Sequence, residues 1–248
     1  MIRTNHPCKE IETAYIYIYM KTVYLSCHHK TGTHFLHKLK RLLQKADPGT
    51  RYVMDPWSKE ATVASTVAST TNDVVKIVHM VRHPYEIIVS GYLYHKTVCQ
   101  EPWCIDPTCK TLADGVQYDF DGVSYQETLR SLPVEEGIDM EMEGRSYQTI
   151  RDMYAFVALP DCLHVEMEDL FEDLPGTVRR ILAFLEVPVT AATAATFDLS
   201  SLGNHGKHVT NETGVPDRYK DMFSEENYDR FAALFPDLPW DMYRYRYL

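Results

Sequence analysis

The chain has 248 residues, 45% of them hydrophobic, and a formal net charge of −10. That length and apolar content suffice for one sizeable core, while the negative field repels nucleic acid and other polyanions, so any anionic ligand has to be held by local groups. No run approaches the about 18 apolar residues of a membrane span, and residues Met1 to Cys8 lack a long apolar core, so the chain reads as soluble and cytoplasmic.

We expect a single domain over residues 1–248, with an N-terminal extension at 1–20 and a C-terminal tail at 236–248. Ala14 to Met20 alternate aromatic with aliphatic residues, a strand pattern that carries no functional reading. Val23 to Cys27 is an apolar run that turns through Gly32 into a helical pattern: Phe35, Leu36, Leu39, Leu42 and Leu43 share one face, which predicts a helix from His34 to about Lys45. The backbone N–H groups of Gly32, Thr33 and His34 then form the first turn. With Lys30 beside them and hydroxyls from Thr31 and Thr33, they make an anion site suited to phosphate. The spacing is not the Walker pattern, because the lysine precedes the only glycine. A plain structural turn is the competing reading of this stretch.

Asp47-Pro48-Gly49 is a turn, Arg51 to Met54 a short strand ending at Asp55-Pro56-Trp57, and Ser58 to Thr71 a weak helix or loop. Asp73 to Val81 is almost continuously apolar, as a central parallel strand requires, and stops at Arg82-His83-Pro84. Proline at a first helical position opens a helix from Tyr85 to about His95, with Ile88, Val89, Tyr92 and Leu93 inward. An arginine at the carboxyl end of a buried parallel strand sits where open α/β sheets bind ligands, although pairing with a surface carboxylate would also account for it. Cys99, Cys104 and Cys109 recur without the close CxxC pairs of a zinc site; reduced thiols are expected, a local disulfide being the alternative. Glu135 to Glu143 reads as a solvated acidic face, or as a selector of a cationic acceptor. Asn211-Glu212-Thr213 matches a glycosylation sequon with no secretory signal beside it.

Two of these segments together resemble the sulfotransferases that use 3′-phosphoadenosine 5′-phosphosulfate (PAPS). Lys30-Thr31-Gly32-Thr33 is similar to their 5′-phosphosulfate loop, and Val81-Arg82-His83-Pro84 followed by Ser90-Gly91-Tyr92 is similar to their 3′-phosphate element. The resemblance continues through Ser124 to Glu127, a helix from Tyr147 to Ala158, a strand near Leu163 to Met167, and Glu168-Asp169-Leu170 before a helix with Val178, Ile181, Leu182 and Leu185 inward. It runs from Lys21 to Phe235.

The resemblance implies an α/β fold of three layers, a central, mainly parallel sheet flanked by helices, like that of P-loop NTPases. It implies transfer of the sulfuryl group of PAPS to a hydroxyl or amine of a small-molecule acceptor, leaving 3′-phosphoadenosine 5′-phosphate (PAP), with no metal and no nucleic-acid or membrane partner. Lys30 would contact the bridging oxygen and the sulfuryl group. Thr31, Gly32, Thr33, His34 and Phe35 would cradle the 5′-phosphate, and Arg82 and Ser90 would hold the 3′-phosphate. Lys207, in Gly203 to His208, would add a further 3′-phosphate contact, although the family's arginine-lysine-glycine order is absent there. The candidate bases are His95 and Glu60, with His28, His29 and His34 also near the donor loop. Trp57, Tyr94 and Trp103 would line the acceptor pocket. A small-molecule kinase needing Mg²⁺ and ATP, and a catalytically silent nucleotide-binding scaffold, are the alternatives.

Overall fold

The computed structural model describes residues 21–56, 59, 64, 75–111, 117–156, 159–187 and 217–238. Four strands, β1 (Thr22–Ser26), β2 (Arg51–Asp55), β3 (Val75–Val81) and β4 (Cys162–Glu166), form one all-parallel sheet in the order β2-β1-β3-β4. The two central strands are the most apolar and the most buried, because a parallel strand is covered on both faces. Trp57, Glu60 and Lys207, the segment 58–71 apart from residues 59 and 64, the alternating run 14–20 and the sequon 211–213 lie outside the described residues.

One face of the sheet offers Val23 and Leu25 of β1, Val78 and Met80 of β3 and Val165 of β4. Against it pack α1 (Thr33–Ala46), through Phe35, Leu36, Leu39 and Leu43, and a later helix that carries Val178, Ile181 and Leu182. On the other face Ile77 meets Phe156 and the partly buried Tyr24. Beside it stands a helical layer built around α2 (Pro84–Thr97), joined by α3 (Pro102–Ile105), α4 (Tyr125–Ser131), α5 (Val134–Glu143) and α6 (Arg145–Ala155). After β4 come α7 (Met167–Glu172), α8 (Leu174–Phe184), α9 (Tyr219–Met222) and α10 (Glu225–Leu234), the last packing Phe231 into the same aromatic core as Tyr85 and Phe223. The helices thus lie on both sides of the sheet, as expected.

The α1 crossover leads from β1 outward to β2, whereas the chain leaving β3 returns at β4 on the opposite side. The strand order therefore reverses between β1 and β3, and the crevice at their carboxyl ends is the ligand position of open α/β sheets. The loop after β1 carries Lys30 and the turn after β3 carries Arg82.

The segment from Glu135 to Glu143 differs from its expected solvated face. It is α5, and Gly137, Ile138, Glu141 and Met142 are buried along one side. Its other acids dock α10: Asp139 accepts from Asn227 at 2.7 Å, Glu135 accepts from Ser224 at 3.0 Å, and Glu143 pairs with Arg230. An acidic run in sequence here follows a helix whose two sides do different work.

Candidate functional site

The loop after β1 is tightly wound on itself. The His28 amide donates to Thr31 Oγ1 at 2.7 Å, the Thr31 amide reaches the His28 carbonyl at 3.2 Å, and the fully buried Thr31 hydroxyl lies 3.1 Å from the same carbonyl. Thr31 therefore braces the loop with its side chain, and only its backbone is left for a ligand. Lys30 sits in the left-handed region with φ 63°, and Gly32 follows at φ 105°, where an added Cβ would come 3.2 Å from Met80 Cε. Two successive turns of this kind aim the chain from the strand into α1.

Gly32 offers α1 no side-chain cap, and no acidic residue occupies the first turn. By contrast, His83 caps α2, Ser124 caps α4 in a full capping box and Asp173 caps α8. The positive end of α1 is thus left to face the crevice without its own anion. Thr33 lies 3.4 Å from Cys27 through Oγ1, His34 is exposed, and Phe35 turns its ring into the core, so any part it takes at the loop is through its backbone.

The two motifs meet directly. Arg82, buried at the end of β3, donates from Nη1 to the Lys30 carbonyl at 3.1 Å and from Nη2 to Glu86 Oε2 at 3.1 Å, one turn along α2. Glu86 also accepts from the Tyr219 amide at 3.4 Å, and the Tyr219 ring stacks on His83 with centroids 4.9 Å apart. The α9 segment is thereby fastened over the β3–α2 junction. Ser90 continues the line Arg82, Glu86, Ser90 at four-residue steps and is buried on α2.

Among the described residues, Arg82 and Arg218 both act electrostatically on Lys30 at this crevice. Burial first, then the Arg82 charge, with Glu141 opposing and Arg218 adding, lowers the Lys30 ammonium to about 7. Its Nζ lies 4.3 Å from the centre of the Tyr94 ring. A cluster of cations that depresses its own lysine is a site that gains from an arriving anion. Arg218 gives no motif in sequence; it reaches the crevice because Tyr219 beside it is pinned to Glu86.

His95 lies at the far end of α2, fully buried. Its Nδ1 is 2.7 Å from Glu141 Oε2 on α5, and Glu141 also accepts from Tyr125 Oη at 3.0 Å and from Ser146 Oγ at 2.8 Å. The other ring nitrogen, Nε2, is buried with no hydrogen-bond partner among the described residues. His29 stacks on the His95 ring at 5.0 Å and 5°, Trp103 meets it edge-on at 4.9 Å, and Tyr94 at 5.3 Å. Tyr94 and Trp103 thus gather beside His95, next to the lysine loop, within an aromatic cluster that includes Tyr125. Of the other histidines, His28 is buried and held at about 3 by burial, and His29 is kept well below its usual range by burial and then by His95 and Lys30. Cys99, Cys104 and Cys109 are free thiols.

Glu141 was not among the residues singled out by sequence. Its approach depends on Gly91: a Cβ there would come within 3.0 Å of the Glu141 carboxyl carbon and 3.2 Å of Ser146 Oγ. Gly91→Ala is expected to destabilise the fold by about 1–3 kcal/mol through overpacking, read as a lowered midpoint of urea unfolding. A midpoint equal to the wild type would mean that Glu141 is not locked in place.

The family model for the sulfotransferase domain matches residues 58–201, more than half of the chain and a span that includes Arg82, Ser90, His95 and Glu141. Mouse sulfotransferase SULT7A1 complexed with PAP is similar in structure, with a TM-score of 0.57 and 15% identity, over 91% of this chain and 84% of that one. Retinol dehydratase in complex with androsterone and inactive cofactor PAP is similar with a TM-score of 0.55 and 14% identity, over 89% and 81%. At such identities the likeness is one of fold. No curated protein sequence matches the chain. Among the described residues no helix is long and apolar enough to cross a membrane.

Proposed function

The chain belongs to the sulfotransferase family, and from that premise we propose that it moves the sulfuryl group of PAPS to a hydroxyl or amine of a small-molecule acceptor, leaving PAP, as a single domain over residues 1–248. The observation that carries the reading is the 3.1 Å bond from Arg82 to the Lys30 carbonyl, which joins two anion-binding elements 52 residues apart at the switch point of the sheet. A donor with phosphates at both the 5′ and 3′ positions needs two such elements side by side. That the two similar structures carry PAP supports the same reading.

In this proposal the N-terminus of α1 and Lys30 take the 5′-phosphate end, and Arg82, Ser90 and Arg218 take the 3′-phosphate. The acceptor oxygen or nitrogen bonds to sulfur as the bond from sulfur to the bridging oxygen breaks, and the electron pair passes to the 5′-phosphate of PAP. Lys30 and the helix N–H groups stabilise charge as it grows on that oxygen, so the chain's own cations suffice there. The acceptor's proton passes to His95 Nε2, with Glu141 as the positioning residue that holds Nδ1–H and so leaves Nε2 as the acceptor atom. His29, Tyr94, Trp103 and Tyr125 enclose His95, so an acceptor reaches Nε2 where one of those rings turns aside.

Calorimetric titration with PAP and with ATP plus Mg²⁺ tests the nucleotide. PAP is expected to bind and ATP not to compete; preference for ATP would replace this reading with a kinase. Release of PAP from PAPS in an acceptor screen tests the transfer, and PAP binding without release under any acceptor would leave a silent scaffold.

The lowered Lys30 ammonium adds a pH signature. Above pH 7 it is largely neutral in the free protein, and a bound anion restores its charge. At pH 8, PAP binding is expected to take up close to one proton, seen as a slope when binding enthalpy is plotted against buffer ionisation enthalpy. The Lys30→Ala protein should lose that uptake; equal slopes would place the anion elsewhere.

A further inference from the structure

A second cluster of side chains lies on the α6-facing side of the sheet and is not used by the proposed transfer. Cys162 and His164 are two apart on β4 and so project to the same face, and His79 of β3 stands directly opposite His164 in the parallel register. His79 Nδ1 is 3.0 Å from His164 Nδ1, Cys162 Sγ is 4.0 Å from His164 Nδ1, and the ligand atoms of all three lie within 4.8 Å of one another.

We propose that Cys162 Sγ, His79 Nδ1 and His164 Nδ1 bind one zinc-type divalent cation, with the fourth tetrahedral position open to water. Zinc holds imidazole nitrogen at about 2.0–2.1 Å and thiolate sulfur at about 2.3 Å, which sets tetrahedral ligand edges of about 3.3–3.6 Å. The two edges at His164, 3.0 and 4.0 Å, bracket that range and the third lies within 4.8 Å, so side-chain rotation, chiefly of Cys162, brings the set to coordination distance. Two imidazoles and one thiolate are the donor types that suit zinc over magnesium or calcium. Cys162 and His164 are only partly buried, which leaves an entry path.

The surroundings supply the outer contact that a metal-bound histidine uses. His79 Nε2 lies 2.9 Å from Nε2 of the buried His28. With the cation on Nδ1, His79 must carry its proton on Nε2 and donate it to His28, which fixes the tautomer of both rings. His28, two residues before Lys30, is in turn locked by its backbone to Thr31. The cation would therefore tie β3 and β4 to the base of the lysine loop without touching the anion crevice. On binding, Cys162 gives its thiol proton to solvent, and the proton on Nδ1 between His79 and His164 moves to the distal nitrogen of its own ring; one proton is released per cation.

The test uses the full chain, stripped with a chelator, re-equilibrated with zinc and measured by elemental mass spectrometry, with cobalt(II) as the spectroscopic probe. One zinc per chain is expected to survive dialysis, cobalt is expected to show a thiolate charge-transfer band, and zinc is expected to raise the melting temperature. Cys162→Ser should abolish the band and the thermal shift while its metal-free melting stays near wild type, since the side chain is only partly buried. His28→Gln should weaken zinc by about 10- to 100-fold through the lost outer contact, and His164→Gln by more. Zinc well below one per chain, a cobalt spectrum without the thiolate band, or wild-type zinc binding in both Cys162→Ser and His164→Gln would overturn the site.

Discussion

Lys30→Ala is expected to lower kcat by about 100- to 1,000-fold, roughly 3–4 kcal/mol of transition-state stabilisation, while PAP affinity at pH 8 falls by only about tenfold, the worth of the proton that Lys30 takes up on binding. The difference between the two effects follows from where the charge develops. In the ground state the 5′-phosphate already has the first turn of α1 and the 3′-phosphate has Arg82, and both stay in place when the lysine is cut back. In the transition state a further charge grows on the bridging oxygen, and Lys30 is the group proposed to meet it. The Lys30 carbonyl bond to Arg82 is made by backbone and survives the substitution, so the loop keeps its shape. Steady-state kinetics beside calorimetry with PAP separate the two quantities. Equal losses in kcat and in PAP affinity would make Lys30 a simple binding residue, and an unchanged kcat would remove it from the reaction.

His95→Gln is expected to cost about 10²- to 10⁴-fold in kcat, the range of a lost general base, with KM for PAPS little changed because the ring lies away from the Arg82 end of α2. Glu141→Gln is expected to cost less, since His95 itself remains: the amide oxygen still accepts from Ser146, but an NH₂ in the place of Oε2 cannot accept from Tyr125 and presents an N–H to His95, turning the imidazole to the wrong tautomer. The double variant decides between orientation and a separate effect. If Glu141 acts through His95, His95→Gln with Glu141→Gln should be no slower than His95→Gln alone. Additive losses would mean that Glu141 contributes through the fold only, and full activity in His95→Gln would return the role to Glu60.

The strand, loop and helix from Thr22 to Ala46 were legible because the apolar residues change period from continuous to one helical face across a single glycine, and the observed bounds of α1, Thr33–Ala46, lie within a residue or two of the expected ones. The same holds for β3 and α2, where a nearly continuous apolar run stops at Val81 and a proline three residues on opens the helix. Lys30 and Arg82 could be named because each follows a strand whose burial could be read from its apolar run, and because their two segments together resemble the phosphate elements of one family. Thr31 was given an outward hydroxyl, and the structure turns it inward onto His28: a short polar side chain in a tight loop satisfies the nearest backbone group first. Glu141 was hidden inside an acidic run, since nothing in the spacing of Glu135 to Glu143 says which carboxyl meets Tyr125, Ser146 and a histidine from another helix.

What the sequence determined by itself was local: the period of each element, the glycine and proline that end or begin them, and the order of the two anion-binding segments, all of which depend on residues within a few positions of one another. What the tertiary structure alone decided was which distant groups share a space. Arg218 beside Lys30, Glu141 behind His95, and His79 between His28 and His164 are pairings across helices and strands. They arise from the packing of α5 and α9 on α2 and from the register of β3 on β4, and no local pattern records that packing. The fold is legible because burial repeats along the chain; the crevice and the histidine row are not, because each is built from single residues whose partners the chain brings from elsewhere.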